Sequence, residues 1–488
     1  MLRKIKEIKN IYDNISIQIK ASVWYVICSI LQRGISLMTV PIFTRIMSAE
    51  QYGYYTTYLA WYDLLLVFSS LNLFYGVFNN AMIKFKDDRD KYISSMQGLI
   101  AITTGTLFLV YLIFQDRANL FLGMPTSLVA LLFVELFVTP ALQFWSAHNR
   151  FEYKYKRIVL VTLAKSLLNP CLGIILVLNS DDKDIARIIS MVATEVIFCG
   201  TIIIYQFVKG KRLFVKEYWK YALAFNLPLL PHYLSGQLLN QSDRIMISQM
   251  VNNSAVAMYS VAYSVGLLMN LFANAINGSY TPWFYQSIEK NNIKNVHKVS
   301  NLLMLLIMVM TSFLMLFGPE VMKIIAAIEY AEAVYIIPPI SASVFFMFLY
   351  NMFANIEFYF DQTKYVLLGS ICSAVLNLFL NAFFIPIFGY CAAAYTTLIC
   401  YIIYAFMHYH FAMLVCKRKD IPKNIFSQRM IILLSIVITV ITLFMNILYG
   451  NYTIRFGIIA VFIGIAVIYR KKLACVAKAF IQDRKVIK

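Results

Sequence analysis

The sequence predicts an all-α integral membrane protein of about fourteen transmembrane helices, and its composition, its apolar runs and the placement of its basic residues carry that prediction. Of 488 residues, 60% are hydrophobic and 14% are charged, and the mean hydropathy is +0.69. Soluble domains carry about 25% charged residues. Water is therefore not the main solvent of this chain.

A bilayer core of about 30 Å takes about 20 apolar residues per helix. Runs of this kind predict spans over residues 21–42, 54–78, 93–114, 120–147, 158–178, 186–208, 221–243, 254–280, 299–317, 335–356, 365–385, 390–411, 430–448 and 456–469. A β-barrel would show short segments of alternating polarity instead. The longest loop on the less basic side, residues 318–334, is too short to fold alone. Function must then reside in the helices.

Residues 1–20 place Leu2, Ile5, Ile8, Tyr12, Ile15 and Ile19 at helical spacing opposite lysines, which predicts an interfacial helix on an anionic leaflet. No cleavage pattern follows, so the first span reads as a retained helix and not a signal peptide. Within it Ser29, Arg33 and Ser36 share one face. Ionisable residues recur at Asp63 in the second span, Glu135 in the fourth, Lys165 in the fifth, Glu195 in the sixth and Glu357 in the tenth.

The seventh span carries Asn226, Tyr233, Gln237, Asn240 and Arg244 in helical steps, together with His232 behind Pro228 and Pro231. The eighth carries Asn270, Asn274, Asn277 and Thr281. Two polar stripes on consecutive helices predict one lined cavity.

The formal net charge is +19 from 43 basic and 24 acidic residues. Counted by loop, 34 basic residues fall on the side of the amino terminus. Seven fall on the other side: Arg45, Arg117, Lys183, Arg187, Arg244, Lys323 and Arg455. Arg33 and Lys165 complete the set inside helices. Cytoplasmic loops collect Lys and Arg, so both termini are expected in the cytoplasm and nucleic-acid binding is not expected. The eight cysteines form no CxxC pair, and no P-loop, GxSxG or HExxH pattern is present. Neither a metal nor a cofactor is expected, nor an ATP-driven pump or hydrolase.

Arg45-Ile46-Met47 after the first span is echoed by Arg244-Ile245-Met246 after the seventh, each before a tyrosine-rich entry to the next helix. The echo divides the chain into an amino-terminal helix (1–20), two six-helix lobes (21–216 and 217–416) and a last helix pair with a basic tail (417–488). The segments around Tyr52-Gly53-Tyr54-Tyr55, Ser242-Asp243-Arg244-Ile245-Met246 and Thr281-Pro282-Trp283 resemble the bacterial polysaccharide (Wzx-type) flippases. Their superfamily also contains the lipid II flippases and the multidrug and toxin extruders.

The resemblance implies a V-shaped pair of lobes in the bacterial cytoplasmic membrane, alternating between inward-open and outward-open states. It further implies, for a monomer among membrane lipids, that undecaprenyl-pyrophosphate-linked oligosaccharide is carried outward, next to a polymerase and glycosyltransferases. Arg33 and Lys165 are then the expected partners of the pyrophosphate. Ser29, Ser36, Asp63, Asn226, Tyr233, Gln237, Asn240, Asn270, Asn274 and Asn277 would line the cavity, and Arg45, Arg244, His232 and Glu357 are candidates for gating or coupling. Two other readings stand beside it: a multidrug extruder of the same fold, and a polysaccharide polymerase or ligase, against which the short loops argue. Pairing of Arg33 and Lys165 with Asp63, Glu135 or Glu195 is the structural alternative to cavity lining.

Overall fold

The computed structural model describes residues 15–468, and among these each expected apolar run is occupied by helix and no strand occurs. The first six spans contain α1 (Ile17–Ile46), α2 (Ala49–Ser70), the short α3 (Val77–Lys84), α4 (Arg89–Ile113), the short α5 (Gln115–Leu122), α6 (Thr126–Phe151), α7 (Tyr155–Leu178) and α8 (Lys183–Gly210). The next six contain α9 (Lys216–Asn226), α10 (Leu230–Met250), α11 (Asn253–Gly266), α12 (Leu268–Glu289), α13 (Ile293–Leu316), the short α14 (Gly318–Ile325), α15 (Ile337–Tyr359), α16 (Thr363–Phe388) and α17 (Tyr390–Arg418). The final pair is α18 (Gln428–Tyr449) and α19 (Tyr452–Ile468). Most of the expected amino-terminal helix and the basic tail lie outside the described residues.

Among the described residues ten helices are long and apolar enough to cross a membrane, and α11 with α12, bent by 41° at a short break, passes the same test as a pair. The other three expected runs coincide with α2, with α9 and α10, and with α19, so the described helices are consistent with fourteen. The chain is a multi-pass membrane protein. α2 and α10 fall short of the apolar ten for a physical reason: α2 packs along both α10 and α11, so its tyrosines and threonines meet protein and not lipid.

Local sequence sets where these helices start and stop. Ser48 and Gln51 form a reciprocal capping box at the start of α2, with Ser48 Oγ accepting from the Gln51 amide at 3.2 Å. The Asn252 side chain accepts from the Ala255 amide at 2.8 Å and starts α11. The second span was expected to run to residue 78 but ends at Ser70, because Leu71 and Asn72 take φ of 46° and 53°, a left-handed pair that cannot continue a helix.

Helices α1 to α8 form one lobe, in which α7 packs on α1 and α8, and α4 on α6 and α8. In the second lobe α17 is the hub, packed along α15 and α16, and α16 in turn holds α10. Helix α18 lies on α13 and α15, with α19 against α18. The terminal pair thus decorates the second lobe and stays out of the interface.

The two ends of the bundle are distinguished here as the basic end, which carries loops 79–92, 148–157 and 209–220, and the far end. At the far end the lobes touch at backbone distance. A Cβ on Gly53 of α2 would lie 1.7 Å from the Asn253 carbonyl oxygen that opens α11, so only glycine permits this approach. Tyr52 meets Tyr330 edge to face at 6.5 Å beside it.

Candidate functional site at the lobe interface

Two cavities lie between the lobes. The one toward the basic end, about 470 Å³, is lined by Asp63 and Ser70 of the first lobe and by His232, Tyr233, Gln237 and Asn240 on α10, with Tyr350 and Tyr404 behind. The second, about 240 Å³, lies toward the far end between Ser36, Thr39, Phe43, Tyr55 and Arg187 on one side and Gln241, Arg244, Ser260 and Ser264 on the other. Asp63 lines both.

The partition between the cavities is a polar chain that crosses the interface. Gln241 Nε2 donates to Asp63 Oδ2 at 2.6 Å, and Arg244 Nη1 donates to Gln241 Oε1 at 3.0 Å. Arg244 Nε donates to Ser260 Oγ at 3.1 Å, and the guanidinium lies 4.7 Å from the Tyr263 ring centroid.

Arg187 faces it from the first lobe. By sequence it belongs to an outer loop; in the structure it sits in the first turns of α8 and is only 5% exposed. Its Nη1 donates to Ser190 Oγ at 2.9 Å and its Nη2 to Asn169 Oδ1 at 2.7 Å, while Nε has no partner. The rings of Phe43 and Tyr55 lie 4.4 and 4.9 Å away. Gly173 on α7 makes the room, since a Cβ there would come within 3.0 Å of the guanidinium. Tyr52 lies close enough to both arginines to feel their charge.

Among the described residues no carboxylate forms an ion pair with Arg187 or Arg244. Two guanidiniums held directly by neutral groups face a small cavity whose wall also carries the single carboxylate of Asp63, one step from Arg244 through Gln241. An anion with several acceptor oxygens is the ligand such a site suits.

Arg33 is exposed and forms no ion pair among the described residues. It lies one turn from Ser29 and from Ser36, which lines the far cavity, with the exposed apolar Val26 and Ile30 also beside it on α1. Lys165 is placed differently: its Nζ is 2.5 Å from Glu195 Oε1, between α7 and α8, away from both cavities. Glu135 accepts from the Tyr58 hydroxyl at 3.0 Å within the first lobe.

Asn226 is buried and donates to the carbonyls of Leu71 and Asn72 at 3.0 and 2.9 Å, tying the end of α2 to the second lobe. His232 and Ser370 are 3.0 Å apart on the wall of the basic-end cavity. Asn270, Asn274 and Asn277 on α12 are partly or fully exposed and line neither cavity. Arg45 Nη2 donates to the Ile324 and Ala326 carbonyls, at 3.3 and 3.4 Å, closing the far end. The two arginines of the sequence echo therefore differ in depth: Arg45 ends α1, whereas Arg244 is inside α10. Glu357 turns inward to His408 and lines neither cavity.

The second lobe also holds a buried polar knot. Asp243 accepts from Thr397 Oγ1 at 2.8 Å, from Asn381 Nδ2 at 2.6 Å and from the Tyr259 hydroxyl. It braces α10, α11, α16 and α17 with its carboxylate oxygens engaged. No group of three His, Cys, Asp or Glu side chains suited to a metal occurs among the described residues. A hollow of about 400 Å³ at the basic end mixes Lys86, Arg89, Lys91 and Lys154 with Asp88 and Glu152. Lys154 already neutralises Glu152 at 2.5 Å there, as on an ordinary solvated face.

Residues 19–288 match the model of a family described as polysaccharide biosynthesis protein. The chain belongs to that family. A flippase from Haloferax volcanii, Agl15, described as probable and as acting in low-salt glycan biosynthesis, is 22% identical over 404 residues, or 80% of this chain and 83% of that protein. A Haemophilus influenzae protein of the Lsg locus is 24% identical over 158 residues, and the match spans 39% of its length. Among solved structures, the lipid II flippase MurJ in an inward-closed conformation superposes with a TM-score of 0.68 at 16% identity, covering 92% of this chain and 100% of that one. An inward-facing MATE multidrug transporter gives 0.64 at 15% identity, covering 80% and 96%. The chain shares the all-helical, two-lobed fold of these transporters.

Proposed function

We propose that this protein is a flippase that carries undecaprenyl-pyrophosphate-linked oligosaccharide repeat units, such as those of O-antigen, capsule or exopolysaccharide, across a bacterial cytoplasmic membrane by alternating access. In this reading the basic end is cytoplasmic, both termini are inside, and the monomer works without catalysis beside glycosyltransferases and a polymerase. The observation that carries it is the far cavity, with one arginine from each lobe and no carboxylate paired to either. Family membership supports it, as do the glycan flippase relative and the lipid II flippase fold.

Passing a pyrophosphate through hydrocarbon unaided would cost on the order of tens of kcal/mol. Guanidiniums supply charge-assisted hydrogen bonds along the way. Arg33, on the exposed polar face of α1, serves as an earlier contact, and Arg187 with Arg244 as a later one. Ser29, Ser36, Tyr233, Gln237 and Asn240 offer sugar hydroxyls weak, exchangeable hydrogen bonds. Lys165, neutralised by Glu195, serves packing and not cargo. The polar knot around Asp243 keeps the second lobe rigid while it rocks. A cationic drug would be repelled by the same arginines, which disfavours the extruder reading.

The test is reconstitution of the full chain in proteoliposomes with a tagged undecaprenyl-pyrophosphate oligosaccharide and, separately, a cationic dye. Protein-dependent flipping of the lipid and no dye movement is expected. Dye movement without lipid flipping would overturn the assignment.

A further inference from the structure

Two ionisable side chains of the second lobe are fully buried and take no part in the arginine-lined cavity. Glu357 on α15 and His408 on α17 are both 0% exposed, with Oε1 and Nδ1 2.8 Å apart. Each also has a second polar atom, Glu357 Oε2 and His408 Nε2, that is buried without a hydrogen-bond partner. The pair is neutral only when it holds one proton; with none it is an anion and with two a cation. Burial penalises either charged form, so proton number controls whether this part of the core carries charge.

The pair stands one layer behind the cavity wall. The imidazole packs against Tyr404 and Tyr350, at 4.6 and 5.7 Å between ring centroids, and both tyrosines line the basic-end cavity. From α16, Gly369 faces Nε2, where a Cβ would come within 2.8 Å. The adjoining Ser370 meets His232 of α10, and these two also line the cavity. The titratable groups facing the pair include Tyr350 on α15, Tyr404 on α17 and His232 on α10, while α16 brings Gly369 and Ser370 and, behind Phe411, Tyr365. No lysine or arginine among the described residues forms an ion pair with Glu357.

We propose that Glu357 and His408 form a proton-binding site, reached from the basic-end cavity past Tyr404, His232 and Ser370, that couples proton movement to the rocking of the lobes. The site joins α15 to α17, the most extensively packed helices of the second lobe, so its charge state bears on how that lobe can bend. The coupling rests on the transport reading; the proton binding does not.

The experiment has two arms that separate these. In the first, purified full-length protein is titrated and its carboxyl infrared bands recorded without any cargo. A band that titrates in the wild type, is lost in Glu357→Gln and moves in His408→Gln is expected. The same band undiminished in Glu357→Gln overturns the site. In the second, flipping is measured in proteoliposomes with and without a pH gradient, on variants whose thermal unfolding matches the wild type. The wild type is expected to respond to the gradient and Glu357→Gln to lose that response while still flipping without one. A retained response overturns the coupling. Because the first arm needs no cargo, a wrong assignment of the lipid leaves its outcome unchanged.

Discussion

Lys165 and Arg187 are both basic residues inside the first lobe, on the neighbouring helices α7 and α8, yet their surroundings differ in one decisive respect. Lys165 is held at 2.5 Å by the Glu195 carboxylate. Arg187 is more deeply buried and is held only by Ser190, Asn169 and two aromatic rings. Burying a charge next to its counter-charge ties helices together, whereas burying one among neutral groups leaves it poised for a ligand. Of the two, the sequence singles out only Lys165 as a cargo contact, and the surroundings favour Arg187 instead.

The sharpest break of this comparison is to remove the poised charges. Arg187→Ala and Arg244→Ala are each expected to slow flipping about 100-fold, corresponding to the loss of one to two charge-assisted hydrogen bonds of about 1.5–3 kcal/mol each. Arg187→Lys should recover part of it, since an ammonium keeps the charge and loses the planar fork. Equal rates in a proteoliposome assay would erase the distinction.

The paired cation should behave in the opposite way. Lys165→Met leaves Glu195 buried without its cation, with only the Cys199 thiol as a donor, and is expected to destabilise the protein by about 3 kcal/mol, read by unfolding in detergent. Lys165→Met combined with Glu195→Gln should recover most of that and flip at close to the wild-type rate. A double variant that folds and does not flip would move Lys165 into the cargo path.

Arg33, exposed on α1 with no ion pair, lies between these extremes. Arg33→Ala is expected to slow flipping about tenfold, with little change in unfolding temperature, as befits one solvent-screened contact. The smallest effect is expected at the partition. Asp63→Asn keeps the shape of its link to Gln241 and removes one charge, so a change of about threefold in rate is predicted from a hydrogen bond worth about 0.5–1 kcal/mol more when charged.

Much of this organisation was legible in the sequence because the membrane imposes length and composition on each helix. The tyrosine-rich opening of α2, the polar stripe on α10 and the charge asymmetry of the loops all report what the side chains face. Where the reading failed, contacts distant in sequence were responsible. Arg187 follows Asp181-Asp182-Lys183-Asp184 and looks like a loop residue; it is buried because Gly173 opens a space for it and Phe43 and Tyr55 cover it. Glu357 finds His408 across two helices, whereas the pairing of Lys165 with Glu195 is one of the alternatives the sequence offers. The early end of α2 depends on two left-handed residues, Leu71 and Asn72, whose carbonyls Asn226 caps from the other lobe. None of these has a periodic signal.

The central claim, that arginines without counter-ions on facing lobes hold the pyrophosphate of the cargo, is tested most directly by affinity. Binding of undecaprenyl pyrophosphate and of uncharged undecaprenol to the full-length protein would be compared by titration in detergent. The wild type and the Lys165→Met/Glu195→Gln variant are predicted to prefer the pyrophosphate lipid, and Arg187→Ala/Arg244→Ala to lose about 100-fold of that preference. An undiminished preference in Arg187→Ala/Arg244→Ala, or an equal loss in Lys165→Met/Glu195→Gln, would contradict the account.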